Sequence, residues 1–217
     1  MMKTDRLVRW IALGSIFFFV TGCSFVFHKR SPADTRRIDE LESEVSRLNR
    51  ELAALEAIKR NLDNRLKEEI GKGQVTLKVE DRGVVLTSMA EVYFDSGKAK
   101  IRLEAKAVLQ KIASALKDFG GSRNILIEGH TDNQPIRHSG WKSNQELSEA
   151  RAQSVADYLV QGGIASSLVS TKGHADKRAV ASNDTPEGRQ KNRRVEIVIM
   201  SRDNLRKLPA SQRDTIK

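Results

Sequence analysis

Asp132 and Arg151 form a candidate recognition pair, one anion and one cation suited to a ligand that carries both charges. Asp132 follows the short apolar run Ile125-Leu126-Ile127, which places it at the mouth of a buried strand. Ser143-Asn144-Gln145-Glu146 reads as a capping box, with Ser143 as N-cap and Glu146 reaching back to it, and opens a helix over 144–161. On that helix Asn144, Ser148 and Arg151 are spaced i, i+4, i+7 and share a face. A fixed anion and a fixed cation in one cleft suit a molecule with an ammonium and a carboxylate. Arginine's planar fork can grip the carboxylate through two hydrogen bonds. Without a wider pattern the same two residues would be an ordinary surface ion pair, contributing at most about 1 kcal/mol.

The wider pattern is present. Thr131-Asp132, a loop, then Asn144-x-x-Leu147-Ser148-x-x-Arg151-Ala152 resembles the peptidoglycan-binding domain of the OmpA-like family, known from outer-membrane proteins, peptidoglycan-associated lipoproteins and flagellar stator proteins. Val92-Tyr93-Phe94-Asp95-Ser96-Gly97 resembles that family's Phe-Asp segment. Asn183-Asp184-Thr185-Pro186-Glu187-Gly188-Arg189 resembles its pre-strand turn, and Asn192-Arg193-Arg194-Val195-Glu196-Ile197 its last strand. The resemblance covers residues 75–201 and implies a peptidoglycan stem peptide as ligand, mainly its diaminopimelate residue. It carries over to Asp132 for the ammonium and Arg151 for the carboxylate. Asn144 and Thr131 would supply neutral hydrogen bonds, and Asp95 would border the pocket. Arg193 and Arg194 are neighbours on a strand and point to opposite faces, so only one of them can line the cleft. The loop Gln134–Lys142 is longer than in the short form of the motif and is similar to that of the stator branch. Its Trp141 either contacts glycan or packs, and packing is the expectation.

Around these residues the pattern predicts an α/β domain over 74–201. Val75–Val79 and Gly83–Thr87 read as a hairpin-like pair of strands. Arg102–Phe119 reads as a helix with Leu109, Ile112, Leu116 and Phe119 on one face, stopped by Gly120-Gly121. A strand over 125–130, the helix over 144–161 and strands near 168–172 and 194–200 complete a two-layer sandwich, helices on one face of a mixed sheet. The tail, 202–217, is polar, basic and broken by Pro209, and is expected to be flexible.

Ahead of the domain, residues 34–70 contain neither Gly nor Pro. Ile38, Leu41, Val45, Leu48, Leu52, Leu55, Leu62 and Leu66 fall on alternating a and d positions, interrupted at Lys59. This predicts a coiled-coil stalk, with β-branched Ile38 and Val45 at a leaning toward a parallel homodimer. A single amphipathic helix lying on another surface is the alternative. Residues 23–33 would link it to the N-terminus. There, Lys3, Arg6 and Arg9 precede the apolar run Ile11–Val20 and then Thr21-Gly22-Cys23. The order matches a signal peptide over 1–22. Val20-Thr21-Gly22-Cys23 resembles a lipoprotein processing box, which implies lipidation of Cys23 and attachment to a membrane through the lipid. The outer membrane, periplasmic face, is the expected location. The alternative is an uncleaved anchor, since residues 10–27 are uncharged and just long enough to span a bilayer, and the chain would then be a stator-like or scaffold part of an inner-membrane machine.

The 217 residues carry a net charge of +10, which can attract nucleic acid, anionic lipid or an anionic wall polymer. The export signal argues against nucleic acid. Enzyme readings fare poorly. His130, Asp132 and Ser148 contain the letters of a triad, but the first two lie on one strand and no nucleophile elbow is present. The histidines, 28, 130, 138 and 174, show no pair at helical ligand spacing, and no glycine loop with Lys cradles phosphate, so no metal or cofactor is expected.

Overall fold

A computed structural model describes residues 31–118, 123–136 and 140–202. The segment expected to be a signal peptide, Cys23 and nearly all of the basic tail lie outside the described residues. The chain divides into two compact units, Met1–Val45 and Ser46–Lys217.

Helix α1 spans Pro32–Arg65. It begins at the proline, which suits the first helical position because its missing N–H has no partner there anyway. Ser31 Oγ accepts from the Ala33 and Asp34 N–H groups, and the Asp34 carboxylate accepts from the Ser31 N–H, a reciprocal cap. Within the first unit, Leu41 and Val45 are about half exposed.

In the second unit the heptad stripe has a different fate from the one expected of a coiled-coil stalk over 34–70. Leu48 and Leu52 are exposed, whereas Leu55, Ile58, Leu62 and Leu66 are buried in the same core as the sheet. The stripe passes through Ile58 rather than breaking at Lys59, which instead pairs with Asp63. An apolar seam at 3–4 residue spacing fits a globular core as well as a second helix, so periodicity could not separate the two. Glu51 is clasped by the two terminal guanidinium nitrogens of Arg123, at 2.6 and 3.1 Å. Arg123 also donates to the Met200 carbonyl, so the clasp ties the helix to the end of the last strand. A short helix α2, Lys67–Gly71, follows.

Five strands form one sheet in the order β1-β2-β5-β3-β4. The strands are β1 (Val75–Glu80), β2 (Gly83–Met89), β3 (Ile125–Gly129), β4 (Val169–Gly173) and β5 (Arg194–Met200). Only β3 and β4 pair in parallel, and β5 sits between β2 and β3, antiparallel to both. The sheet is mixed, as expected. Helices α3 (Ala90–Tyr93), α4 (Leu103–Asp118) and α5 (Asn144–Gln161) complete this part of the domain. Leu109, Ile112 and Leu116 of α4 and Val155 and Leu159 of α5 meet Leu86, Ile127, Val195 and Ile197 of the sheet in one core. Helix α5 approaches β3 so closely that a Cβ on Gly129 would stand 2.1 Å from the Ser148 carbonyl oxygen, which requires glycine there. Before β5, the segment resembling a turn is helix α6, Pro186–Asn192, capped by Thr185 Oγ1 accepting from the Gly188 N–H.

Candidate binding site

A cavity of about 610 Å³ opens at the C-terminal end of β3, walled by α3, the loop Phe94–Gly97, the loop after β3 and the start of α5. Asp132, Arg151, Asn144, Thr131 and Asp95 all line it, so the structure brings the sequence-derived residues together. Arg193 joins them; Arg194 does not.

Asp132 is held by its own loop. Backbone bonds from His130 N–H to the Arg194 carbonyl and from Thr131 N–H to the Ala175 carbonyl pin the chain beyond the strand end. The Asp132 Oδ1 accepts from the Gln134 N–H at 3.1 Å, and its Oδ2 accepts from Arg193 Nη1 at 2.7 Å. Thr131 Oγ1 donates to the Asp132 carbonyl, and the Asn144 amide donates to the carbonyls of Asp132 and Gln134. Thr131 and Asn144 thus spend these donors on shaping the loop around the carboxylate.

Arg151 is 5% exposed and, among the described residues, makes no ion pair. Its Nε donates to the Lys98 carbonyl at 2.9 Å, and its Nη2 stands 3.5 Å from the Asp95 carbonyl oxygen. The guanidinium lies 5.3 Å from the Phe94 ring centroid, a cation–π contact. Burial first, and then the Arg193 charge, pull its pKa down to about 10. The Asp132 charge opposes that fall, so Arg151 remains charged at neutral pH, yet among the described residues no carboxylate is hydrogen-bonded to it.

Helix α5 delivers Arg151 with its cap in place: Ser143 Oγ accepts from the Glu146 N–H, while the Glu146 carboxylate reaches the Lys142 N–H rather than Ser143's. Leu147, not Ser148, shares the cavity wall with Asn144 and Arg151. Ser148 is fully buried and accepts from the Ala175 N–H. Asp95 turns its half-exposed carboxylate toward Lys98 at 3.1 Å and Arg102 at 3.8 Å. Arg193 bridges Asp132 and Glu91, the latter at 2.8 Å, and holds the Glu91 carboxyl below its ordinary range. The buried Asn192 fixes where Arg193 starts. It accepts from the N–H groups of Val180 and Ala181 and donates to the Ala181 carbonyl and the Asn183 side chain. Ala90, Phe94, Pro135, Ile136 and Leu147 give the cavity an apolar wall. Trp141 is half-buried, and its indole N–H donates to the Gly97 carbonyl at 2.9 Å.

A second charged group sits on the opposite side of β5. Glu128 accepts from Arg82, Arg178 and His174, and Glu196 from Arg82 and Arg194. His130 stacks on His174 with ring centroids 5.0 Å apart, and neither His130 nitrogen has a hydrogen-bond partner. A search for histidines at helical spacing misses this pair. The signal was the repeated Gly129-His130 and Gly173-His174, because Gly129 and Gly173 are opposite each other in the parallel β3–β4 ladder. Glu128, His130 and His174 offer ligand atoms within 4.8 Å of one another. Their carboxylate is already shared by Arg82 and Arg178, and Arg194 acts on His130. A divalent cation would enter against those guanidinium charges, so the donor set does not suit a metal.

The OmpA family model matches residues 93–193, a span that holds Asp95, Thr131, Asp132, Asn144, Arg151 and Arg193. The chain is 38% identical over 149 residues to Motility protein B of Bacillus subtilis, covering 68% of this chain and 57% of that protein. It is 45% identical over 92 residues to the peptidoglycan-binding protein ArfA of Mycobacterium tuberculosis, covering 42% of this chain and 27% of that protein. Among solved structures, the cell wall anchor of the T6SS from Pseudomonas aeruginosa is 36% identical with a TM-score of 0.59, over 64% of this chain and 96% of that one. The chain therefore spans little more than half of Motility protein B and about a quarter of ArfA.

Proposed function

We propose, from the match of residues 93–193 to the OmpA family, that the cavity binds the peptidoglycan stem peptide through diaminopimelate, without catalysis. The observation that carries this reading is the buried Arg151 guanidinium that lacks a carboxylate. A ligand carboxylate would complete it with two charge-assisted hydrogen bonds. The ligand ammonium would go to Asp132. Its two oxygens each accept one bond, and an ionised carboxylate has about four acceptor positions, so capacity remains beside Arg193. The methylenes between the two charged ends would lie on Phe94, Ile136 and Leu147. Asp95 and Asn144 would border the ligand, and Thr131 would hold the Asp132 loop.

The same reading makes the chain a tether. A lipid on Cys23 would anchor it at the periplasmic face of the outer membrane, and α1 would act as the stalk. Leu41, Val45, Leu48 and Leu52 stay exposed on α1 and would pair with a second copy. Similarity to Motility protein B favours a second reading, an inner-membrane, stator-like or scaffold component with an uncleaved N-terminus. Labelled palmitate incorporation that disappears in Cys23→Ala supports the lipid anchor. Labelling that never occurs, or that survives the substitution, moves the inner-membrane reading to the front.

The binding claim is tested by calorimetric titration of the full chain, in detergent, with a diaminopimelate-containing muropeptide. The expected result is saturable binding that weakens by about 2–5 kcal/mol in Asp132→Ala and in Arg151→Ala, each of which leaves a ligand charge unmatched. A folded parent that does not bind contradicts the reading.

A further inference from the structure

We infer that Trp141 is a positioning residue for the carboxylate end of the ligand, acting through the loop Asp95–Lys98. This role rests on the binding function proposed above and deepens it.

Arg151 is held from one side by backbone. Its guanidinium rests on the buried Phe94 ring and is aimed by two carbonyls, Lys98 at 2.9 Å and Asp95 at 3.5 Å, so the loop that carries them helps to set its direction. That loop lies outside the sheet. Its Gly97 adopts φ +66, a left-handed conformation that turns the chain back sharply. The Asp95 side chain is half exposed and, among the described residues, pairs with Lys98 and Arg102, contacts that solvent screens. The Trp141 indole N–H donates to the Gly97 carbonyl of the same loop at 2.9 Å. This carbonyl lies between the two that Arg151 uses. Trp141 itself is fixed two residues before the N-cap Ser143, and Gly140 beside it is left-handed at φ +80. One indole therefore links the α5 cap, which delivers Arg151, to the loop that aims it.

A site that holds its donors in place before the ligand arrives loses less ordering entropy on binding. Removing the indole N–H should release the loop carbonyls, let the guanidinium turn, and weaken only the interaction with the ligand carboxylate. The Asp132 carboxylate is held by the Gln134 N–H and by Arg193, neither of which touches Trp141. The ammonium end should not notice the change.

The test uses the full chain and two stem-peptide fragments, one with a free side-chain carboxylate on diaminopimelate and one with a carboxamide there. Trp141→Phe keeps one aromatic ring and loses the N–H together with the fused five-membered ring, and the amide fragment reads out the packing part of that change. The substitution should raise the Kd for the free acid about 3- to 10-fold, the size of one neutral hydrogen bond, and leave the Kd for the amide unchanged. In an Arg151→Ala background the same substitution should have no further effect. An unchanged Kd for the free acid in Trp141→Phe overturns the inference, as does equal weakening for acid and amide, which would mark Trp141 as general packing. A parent chain that binds neither fragment, or binds both equally, overturns the carboxylate reading of Arg151 itself and is told apart from a failure of Trp141 alone.

Discussion

Arg193 and Arg194 stand side by side in the chain and serve two clusters of opposite character. On one side of β5, Arg194, Arg82 and Arg178 surround Glu128 and Glu196. Both glutamates are buried and each accepts from two guanidinium groups. On the other side, Arg193 bridges Asp132 and Glu91, and Arg151 is left with backbone carbonyls and the Phe94 ring. The first cluster is closed: its charges satisfy one another and offer nothing to a ligand. The second is open by one carboxylate. Burying an arginine without its counter-ion costs stability, and in the proposed function the missing partner is the ligand.

The largest effect that would separate the two clusters lies in the closed one. Glu128→Ala would leave Arg82, Arg178 and His174 without their shared acceptor, and should cost about 3–5 kcal/mol in a denaturant titration. Affinity for the muropeptide per folded molecule should hold. Next, Arg151→Ala should reverse the pattern. Binding should fall by about 2–5 kcal/mol in calorimetry. The loss of stability should be smaller than for Glu128→Ala, because removing the unmatched charge also removes its desolvation cost.

A third prediction concerns pH. Burial, followed by the Arg194 charge, pushes the His130 pKa down from 6.5 to about 3. The unfolded chain takes up a proton that the folded one refuses. Stability is therefore full above pH 6.5 and falls as pH drops toward 3, by about 1.4 kcal/mol per pH unit. His130→Gln should flatten that slope. Glu196, held below its ordinary range by Arg82 and Arg194 against the opposing effect of burial, steepens the loss further in acid, below about 4.5. The smallest effect belongs to Arg193. Its side chain is 33% exposed, and Arg193→Gln should change stability by at most about 1 kcal/mol, well below the cost of Arg194→Gln.

The sequence made the open cluster legible and left the closed one hidden. Asp132 and Arg151 announce themselves through a strand end and a capping box, and the helix over 144–161 appears where the pattern places it. The sheet follows from alternation and from the runs of Val and Ile. The closed cluster draws on β2, β3, β4 and β5 and their flanking turns, so only the ladder register brings its members together. The choice between Arg193 and Arg194 could not be made from alternation alone; it is set by Asn192, whose four hydrogen bonds fix the start of β5. The fate of α1 was also beyond reach, because Leu55, Leu62 and Leu66 fit a domain core at the same spacing that suits a coiled coil. Trp141 shows a limit of another kind: the carbonyl it holds becomes visible only with the fold.

The decisive experiment follows the two arginines together in one spectrum. In the 15N-labelled full chain, the Nε–H resonances of Arg151 and Arg194 are assigned through Arg151→Lys and Arg194→Lys, then followed during addition of the diaminopimelate-containing muropeptide. If Arg151 waits for the ligand carboxylate, its resonance shifts saturably and that of Arg194 does not move. A ligand that binds while the Arg151 signal stays still would contradict the proposed function.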